Sequence, residues 1–478
     1  METDHSIANR SVPAAVVQLG RGLPPLLAVG IVLVATVQPL AALVAAAGIC
    51  FLALYLYRRA WLLGMIFVFL IFQNLVHHRL LSINESLATV VKHADDPLIV
   101  FFALALVAEA FLPAMRLSKL PSWQPFALVL LVCLLSAASN RLTGKEVAIG
   151  IYVLLKNFVW FFLAASLRLD HRGYRNVMRF LMVVLGCILA FGAFQFFTGD
   201  LTYRLLDLRK DYRFGILRLR SIFIHPVYLA ESMALLAVVT MSAYVHFRRT
   251  SYLVLSIGAL IAVALTMLVK TILSLGFVLG FLLMRRRPLL LVPYVVAAVT
   301  AMVVFAEYGT ENVQRQFSVY IESPQNVRRE GYRICSEIMR DSPILGVGPG
   351  MFGGYAATLL ESPIPEHYNF LNYDGLQYDT IDAHWPHLIA EIGLLGLLAC
   401  GWFLWSAGRA SWRFATRQDL SPYARILGMA AAVFLLIAVI EAFAASNIED
   451  TLTGFMIFSM LGLTQGNFHS ADADGAGR

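Results

Sequence analysis

Apolar stretches of about 15–22 residues recur along almost the whole chain, each closed by charges or by a Pro or Gly break, and few architectures accommodate that pattern. They fall at about 23–37, 40–57, 60–76, 97–114, 124–138, 146–167, 177–197, 226–246, 252–268, 271–284, 289–306, 387–406, 424–444 and 451–466. A run of that length crosses the hydrocarbon of a bilayer as a helix, because a spanning backbone must satisfy its own hydrogen bonds. The expectation is an all-α, polytopic integral membrane protein with about 12–14 transmembrane helices, forming a single domain over residues 1–478. The chain is 14% charged and 59% hydrophobic, against roughly a quarter charged for a soluble domain.

The formal net charge of +7 does not point to nucleic acid. Its Lys and Arg residues sit at the ends of apolar spans, where they set orientation. With the N-terminus inside, the cytoplasmic turns are Arg58/Arg59, Arg116/Lys119, Arg168/Arg172/Arg175, Arg248/Arg249, Arg285/Arg286/Arg287 and Arg409/Arg413/Arg417. Residues 1–22 carry charges and polar breaks without a small-residue cleavage site, and read as a short retained cytoplasmic tail. Cys50, Cys133, Cys187 and Cys400 lie in apolar runs and Cys335 in a long loop, so neither a disulfide framework nor a paired zinc motif is expected.

Two outward segments stand apart. Residues 198–225 carry Arg204, Arg209, Lys210, Arg213, Arg218 and Arg220 on the side where basic residues are normally scarce. Asp200, Asp207 and Asp211 are natural partners for Arg204 to Arg213, which leaves Arg218 and Arg220 without acidic partners and suited to a phosphate. The second segment, 307–383, is too long for an incidental connection. It holds an amphipathic stretch with Ile334, Ile338 and Met339, then a turn with Gly348, Gly350 and Gly353. No strand precedes these glycines, so they are read as permitting close backbone approach rather than binding a dinucleotide.

The long loop ends in DTIDAHWPHLIAEIGLLG, residues 379–396, where a polar segment gives way to a membrane helix. Asp382 is placed to cap it and Pro386 suits its first turn. A helix from there puts His384, His387 and Glu391 on one face, with Glu391 roughly 10 Å deeper. A carboxylate inside an apolar span is costly and marks a functional interior. Lys270, between two short spans, is read either as pointing into the same outward cavity or as snorkelling to the interface. Lys156 and Glu231 are candidates for a cross-helix pair, with Glu109 and Glu441 as lesser cases.

Four pieces taken in order resemble the O-antigen ligase and Wzy-type polysaccharide polymerase superfamily over roughly residues 200–410. They are RLRSIFIHPVYLA, LTMLVKT, GYRICSEIMRDSPILGVGPGMF and DAHWPHLIAEIGLLGLL. The resemblance implies an enzyme of the bacterial inner membrane, with its site on the periplasmic side. It would transfer a glycan from an undecaprenyl-pyrophosphate carrier to a glycan or lipid acceptor hydroxyl, as polymerase or ligase. The sequence has no HExxH or carboxylate-rich metal motif and offers cations for the pyrophosphate, so metal-independent chemistry without a cofactor is expected, with zinc ligation by His384, His387 and Glu391 as the alternative. Polysaccharide assembly proteins are then expected partners beside the lipid bilayer. By the family pattern His384 is the base, Arg218 is the first carrier-binding arginine, with Arg220 able to take its place, and Lys270 stands at the second phosphate contact; Arg333 and Glu391 are counted with the substrate-binding set, Glu391 orienting either the helix or His384. Two positions depart from that pattern: Lys270 stands where Arg is usual, and Trp385 where Asn is frequent, the latter read as an aromatic platform or headgroup anchor. A transporter or flippase for a lipid-linked or anionic glycan is the competing class, since buried charges and broken helices also mark transport paths.

Overall fold

The computed structural model describes residues 54–55, 58–110, 122–167, 169–208, 210–213, 216–286, 327–370 and 383–466. The expected span 23–37, nearly all of 40–57 and the span 289–306 lie outside the described residues, as do Asp382 and both flanks of the long loop. The chain divides into two compact units, Met1–Met65 and Ile66–Arg478. In the first, the Arg59 guanidinium lies 4.4 Å from the centre of the Tyr55 ring.

The described elements begin with α1 (Arg59–Leu81), α2 (Glu85–Lys92), α3 (Asp95–Ala110), α4 (Trp123–Ser139), α5 (Gly144–Leu155) and α6 (Phe158–Ala165). Next come α7 (His171–Thr198), α8 (Asp200–Leu206), the strands β1 (Tyr212–Arg213) and β2 (Ile216–Leu217), α9 (Pro226–Phe247), α10 (Thr250–Leu265) and α11 (Val269–Arg286). The chain continues with α12 (Val327–Asp341), α13 (Gly354–Leu359), α14 (Ile364–His367), α15 (His384–Thr416), α16 (Pro422–Glu441) and α17 (Thr451–Gln465). Apart from the two-residue antiparallel ladder, the described fold is helical, as expected. Five of these helices are long and apolar enough to cross a bilayer, and the α5–α6 pair, bent by 60°, makes a sixth if taken as one span.

Local chemistry explains where the helices start. Thr143 and Glu146 form a reciprocal capping box at α5, Asp170 caps α7, Ser421 with Pro422 opens α16, and Asp450 caps α17. At the centre, α9 packs on α10, and α16 on both α9 and α15; α6 lies on α17 and α4 on α15. The α9 window is the most deeply buried of the candidate spans, which accounts for its lack of a polar stripe.

The glycine turn of the long loop has a specific task. At Gly393, with φ 67°, α15 breaks, and the stretch 343–348 crosses the break. Leu394 and Leu395 donate their freed N–H groups to the carbonyls of Pro343 and Ile344, at 3.0 and 3.2 Å. In return Val347 and Gly348 donate to the carbonyls of Ala390 and Glu391, both at 2.9 Å. A broken helix within a membrane is tolerated when a neighbour satisfies its backbone in this way. The crossing is closer than any side chain permits: a Cβ on Gly393 would lie 2.3 Å from the Ile344 oxygen, and one on Gly346 would lie 2.4 Å from the Ala390 oxygen. Ser136 of α4 seals it, donating to the Leu345 carbonyl at 2.5 Å. Of the glycines expected to serve close approach, Gly350 does so elsewhere, a Cβ there lying 2.6 Å from the Gly150 Cα; the crossing itself uses Gly346 and Gly393, which were not among them.

Candidate active site

Among the described residues no side chain caps the first turn of α15. Its N-cap is Ala383, and the His384 N–H donates to the carbonyls of Ala442 and Ala445 at 3.0 and 3.1 Å. The connection between α16 and α17 thus supplies the cap, and it brings Glu449, a residue the sequence reading passed over. The Glu449 Oε1 lies 2.6 Å from His384 Nδ1 and 3.0 Å from His387 Nδ1, and its Oε2 lies 3.0 Å from the latter. His387 Nε2 reaches Glu391 Oε1 at 2.9 Å, and the Phe352 N–H donates to that oxygen at 3.3 Å. His384 and His387 are only 5% and 6% exposed, and Glu391 2%. The three residues expected on one face do come together, with one correction: Glu391 meets His387, and Glu449 is what joins both histidines.

Protons follow from this geometry. An ionised carboxylate only accepts, so His384 must carry its proton on Nδ1, which leaves the Nε2 lone pair available; Nε2 has no partner among the described residues. His387 has a carboxylate at each ring nitrogen, so with both ionised it holds two protons and has no lone pair to offer. Burial works against ionisation of Glu449, yet the His387 and His384 rings hold its carboxyl well below the usual carboxylate range. Asn157, at the α5–α6 bend, fixes this loop by donating to the carbonyls of Ile448, Glu449 and Asp450 at 2.9, 3.0 and 3.3 Å. A cavity beside His384 and Glu449 is lined by Asn157 and otherwise by apolar groups such as Leu154, Phe158 and Leu388.

The cationic residues form a second group. Arg218 and Arg220 do have an acidic partner, contrary to expectation: Asp211 Oδ2 lies 2.8 Å from Arg218 Nη1 and 3.0 Å from Arg220 Nη2. The antiparallel ladder folds Asp211 back on them, with the Arg218 N–H donating to the Asp211 carbonyl at 2.9 Å. Asp207 instead faces Arg79 at 4.0 Å. Desolvation, followed by the charges of Arg218, Arg220 and Lys270, lowers the pKa of His225, so the three expected cations do share one neighbourhood.

Lys270 neither snorkels nor stands alone. Its Nζ lies 3.6 Å from both Glu231 Oε1 and Glu441 Oε2, with Thr453 donating to Glu231 and Ser274 to Glu441. The expected Lys156–Glu231 pair is replaced by this arrangement; Lys156 donates to Thr451 Oγ1 at 3.3 Å. Arg333 lies on the exposed face of α12, paired with Glu330 and Glu337, while Ile334, Cys335 and Ile338 face the core. Trp385 is buried, donating its indole N–H to the Val439 carbonyl at 3.1 Å, which corrects the reading of a headgroup anchor or open platform. One connection organises both groups: Glu441 reaches Lys270, Glu449 the histidines, and Asp450 the Tyr228 hydroxyl at 2.9 Å.

Glu449 was legible only as an acidic pair, Glu449–Asp450, ahead of the last apolar span; nothing local tied it to a histidine 65 positions earlier. No protein-family model matches the chain, and neither does any curated protein.

Proposed function

We propose that this protein is a glycosyltransferase of the bacterial cytoplasmic membrane, of the O-antigen ligase or polysaccharide polymerase type, with 12–14 spans and its site on the periplasmic side. It transfers a glycan from an undecaprenyl-pyrophosphate carrier to an acceptor hydroxyl. The observation that carries this reading is the buried His384–Glu449 pair, with Nε2 of the ring unengaged among the described residues. A general base needs a lone pair held in place by a partner on the other nitrogen, and that is the arrangement here. As the acceptor proton moves to Nε2, the imidazolium that forms is stabilised by the Glu449 carboxylate 2.6 Å away. The departing pyrophosphate is held by the cationic group around Arg218, Arg220 and Lys270, which supplies charge without a metal ion. His387 holds Glu449 in place and Glu391 holds His387, so both act on the base indirectly.

A transporter for a lipid-linked glycan is the second reading. The observation that favours it is the Lys270–Glu231–Glu441 group, in which ionisable residues on three helices meet.

The test separates chemistry from binding. His384→Ala is expected to leave carrier binding intact while lowering turnover by about 10²–10⁴-fold. Arg218→Ala is expected to weaken carrier binding as well, and His387→Ala to be the milder change at the base. Turnover and binding of a lipid-pyrophosphate glycan are measured on equally expressed variants. Near-normal turnover in His384→Ala sinks His384 as the base, and a parent protein that binds the carrier without turning it over sinks the enzyme reading and favours transport.

A further inference from the structure

The two arginines meet at a single atom. Arg218 Nη1 and Arg220 Nη2 both address Asp211 Oδ2, at 2.8 and 3.0 Å. Two more of their donors are fixed by the fold: Arg218 Nε donates to the Thr266 carbonyl at 2.9 Å, and Arg220 Nη1 to the Ile224 carbonyl at 2.8 Å. Nε of Arg220, on the same edge of the guanidinium as Nη2, is buried and has no hydrogen-bond acceptor among the described residues. That edge is built to grip two oxygens of one anion in parallel. Asp211 gives it only one oxygen, and shares that oxygen with Arg218. Asp211 is also the more open member of the group: its side chain is 31% exposed, against 11% and 12% for the arginines.

We propose that Asp211 is a built-in competitor for the anion these arginines bind. In the resting protein its carboxylate occupies the place of one phosphate oxygen; a pyrophosphate group displaces it and engages the whole Nε–Nη2 edge of Arg220. This rests on the pyrophosphate reading above. It adds a selection rule to that reading. An anion with a single negative charge offers the arginines no more than Asp211 already does, so only an anion with more charge and at least two adjacent oxygens opens the site. Asp211 is therefore a specificity-determining residue.

The experiment measures binding of inorganic pyrophosphate to the purified full chain in detergent, with acetate as the monovalent control. Asp211→Asn is expected to tighten pyrophosphate binding about tenfold or more, because the binding-competent state no longer has to be reached by displacing a bound carboxylate. Acetate is expected to bind Asp211→Asn and not the parent. Arg220→Lys keeps the charge but removes the two-donor edge, and is expected to weaken pyrophosphate binding about tenfold. This second variant decides the matter if Asp211→Asn fails to fold. Unchanged or weaker binding in a folded Asp211→Asn, or unchanged binding in Arg220→Lys, overturns the proposal. If Arg218→Ala abolishes binding while Asp211→Asn leaves it untouched, the proposal falls and the pyrophosphate reading stands. If none of these proteins, the parent included, binds pyrophosphate, both fall.

Discussion

Glu449→Gln is the most informative single change, because it removes a charge and almost no volume. The carboxylate has contacts at 2.6 Å to His384 and 3.0 Å to His387, and Oε1 serves both rings. Glutamine offers one accepting oxygen, and its NH₂ then confronts the protonated Nδ1 of His387 at the Oε2 position. A hydrogen bond to a charged group contributes about 1.5–3 kcal/mol and a neutral one about 0.5–1.5 kcal/mol, so converting the one to His384 removes roughly 1–1.5 kcal/mol from the imidazolium formed in the transition state. At about 1.4 kcal/mol per tenfold, turnover is expected to fall about 5- to 12-fold, less than for His384→Ala. Carrier binding should hardly change, since Glu449 lies on the base and not on the cations. The assay is turnover and binding of a lipid-pyrophosphate glycan for Glu449→Gln, His384→Ala and the double variant. Because Glu449 acts only through His384, the double variant should be no slower than His384→Ala alone. Additive losses would show that Glu449 acts elsewhere, and full turnover in Glu449→Gln would refute the pairing.

Gly393→Ala should lower the midpoint of thermal unfolding by several degrees: it places a Cβ 2.3 Å from the Ile344 oxygen and strains a φ of 67°, whereas Gly401→Ala, with open space at its Cβ, should not. A cysteine introduced at the exposed Tyr355 should react with a membrane-impermeant thiol reagent on intact spheroplasts and one at Arg249 should not; the reverse labelling would invert the proposed topology. Because the folded-state pKa of Glu449 is depressed, its stabilisation is fully present above the ordinary value of about 4.3 and is lost only as pH falls through the lower folded value. Parent and Glu449→Gln should therefore differ in unfolding midpoint by the same amount at pH 5 and pH 7, and a gap that closes by pH 5 would contradict the pairing.

What is local in this protein was readable without coordinates. The helical character follows from runs of apolar side chains, five or six of the described helices being long and apolar enough to cross a bilayer; the break near Lys270 follows from two short runs back to back, and the His384–His387–Glu391 face from helical spacing. What the tertiary structure decided is which charges meet. Arg218 and Arg220 looked unpaired because the nearest acids precede them by several residues, and only the turn of β1 onto β2 brings Asp211 back to them. Lys270, Glu231 and Glu441 lie on three helices, and no periodicity within one helix predicts a contact set by the packing of three. Glu449 is the sharpest case: its role depends on the α16–α17 connection capping α15 with backbone carbonyls, and a backbone cap leaves no mark on residue type. The glycine motif and the Glu-Ile-Gly motif were each visible in the sequence, but that they are two halves of one backbone crossing is a fact about proximity alone.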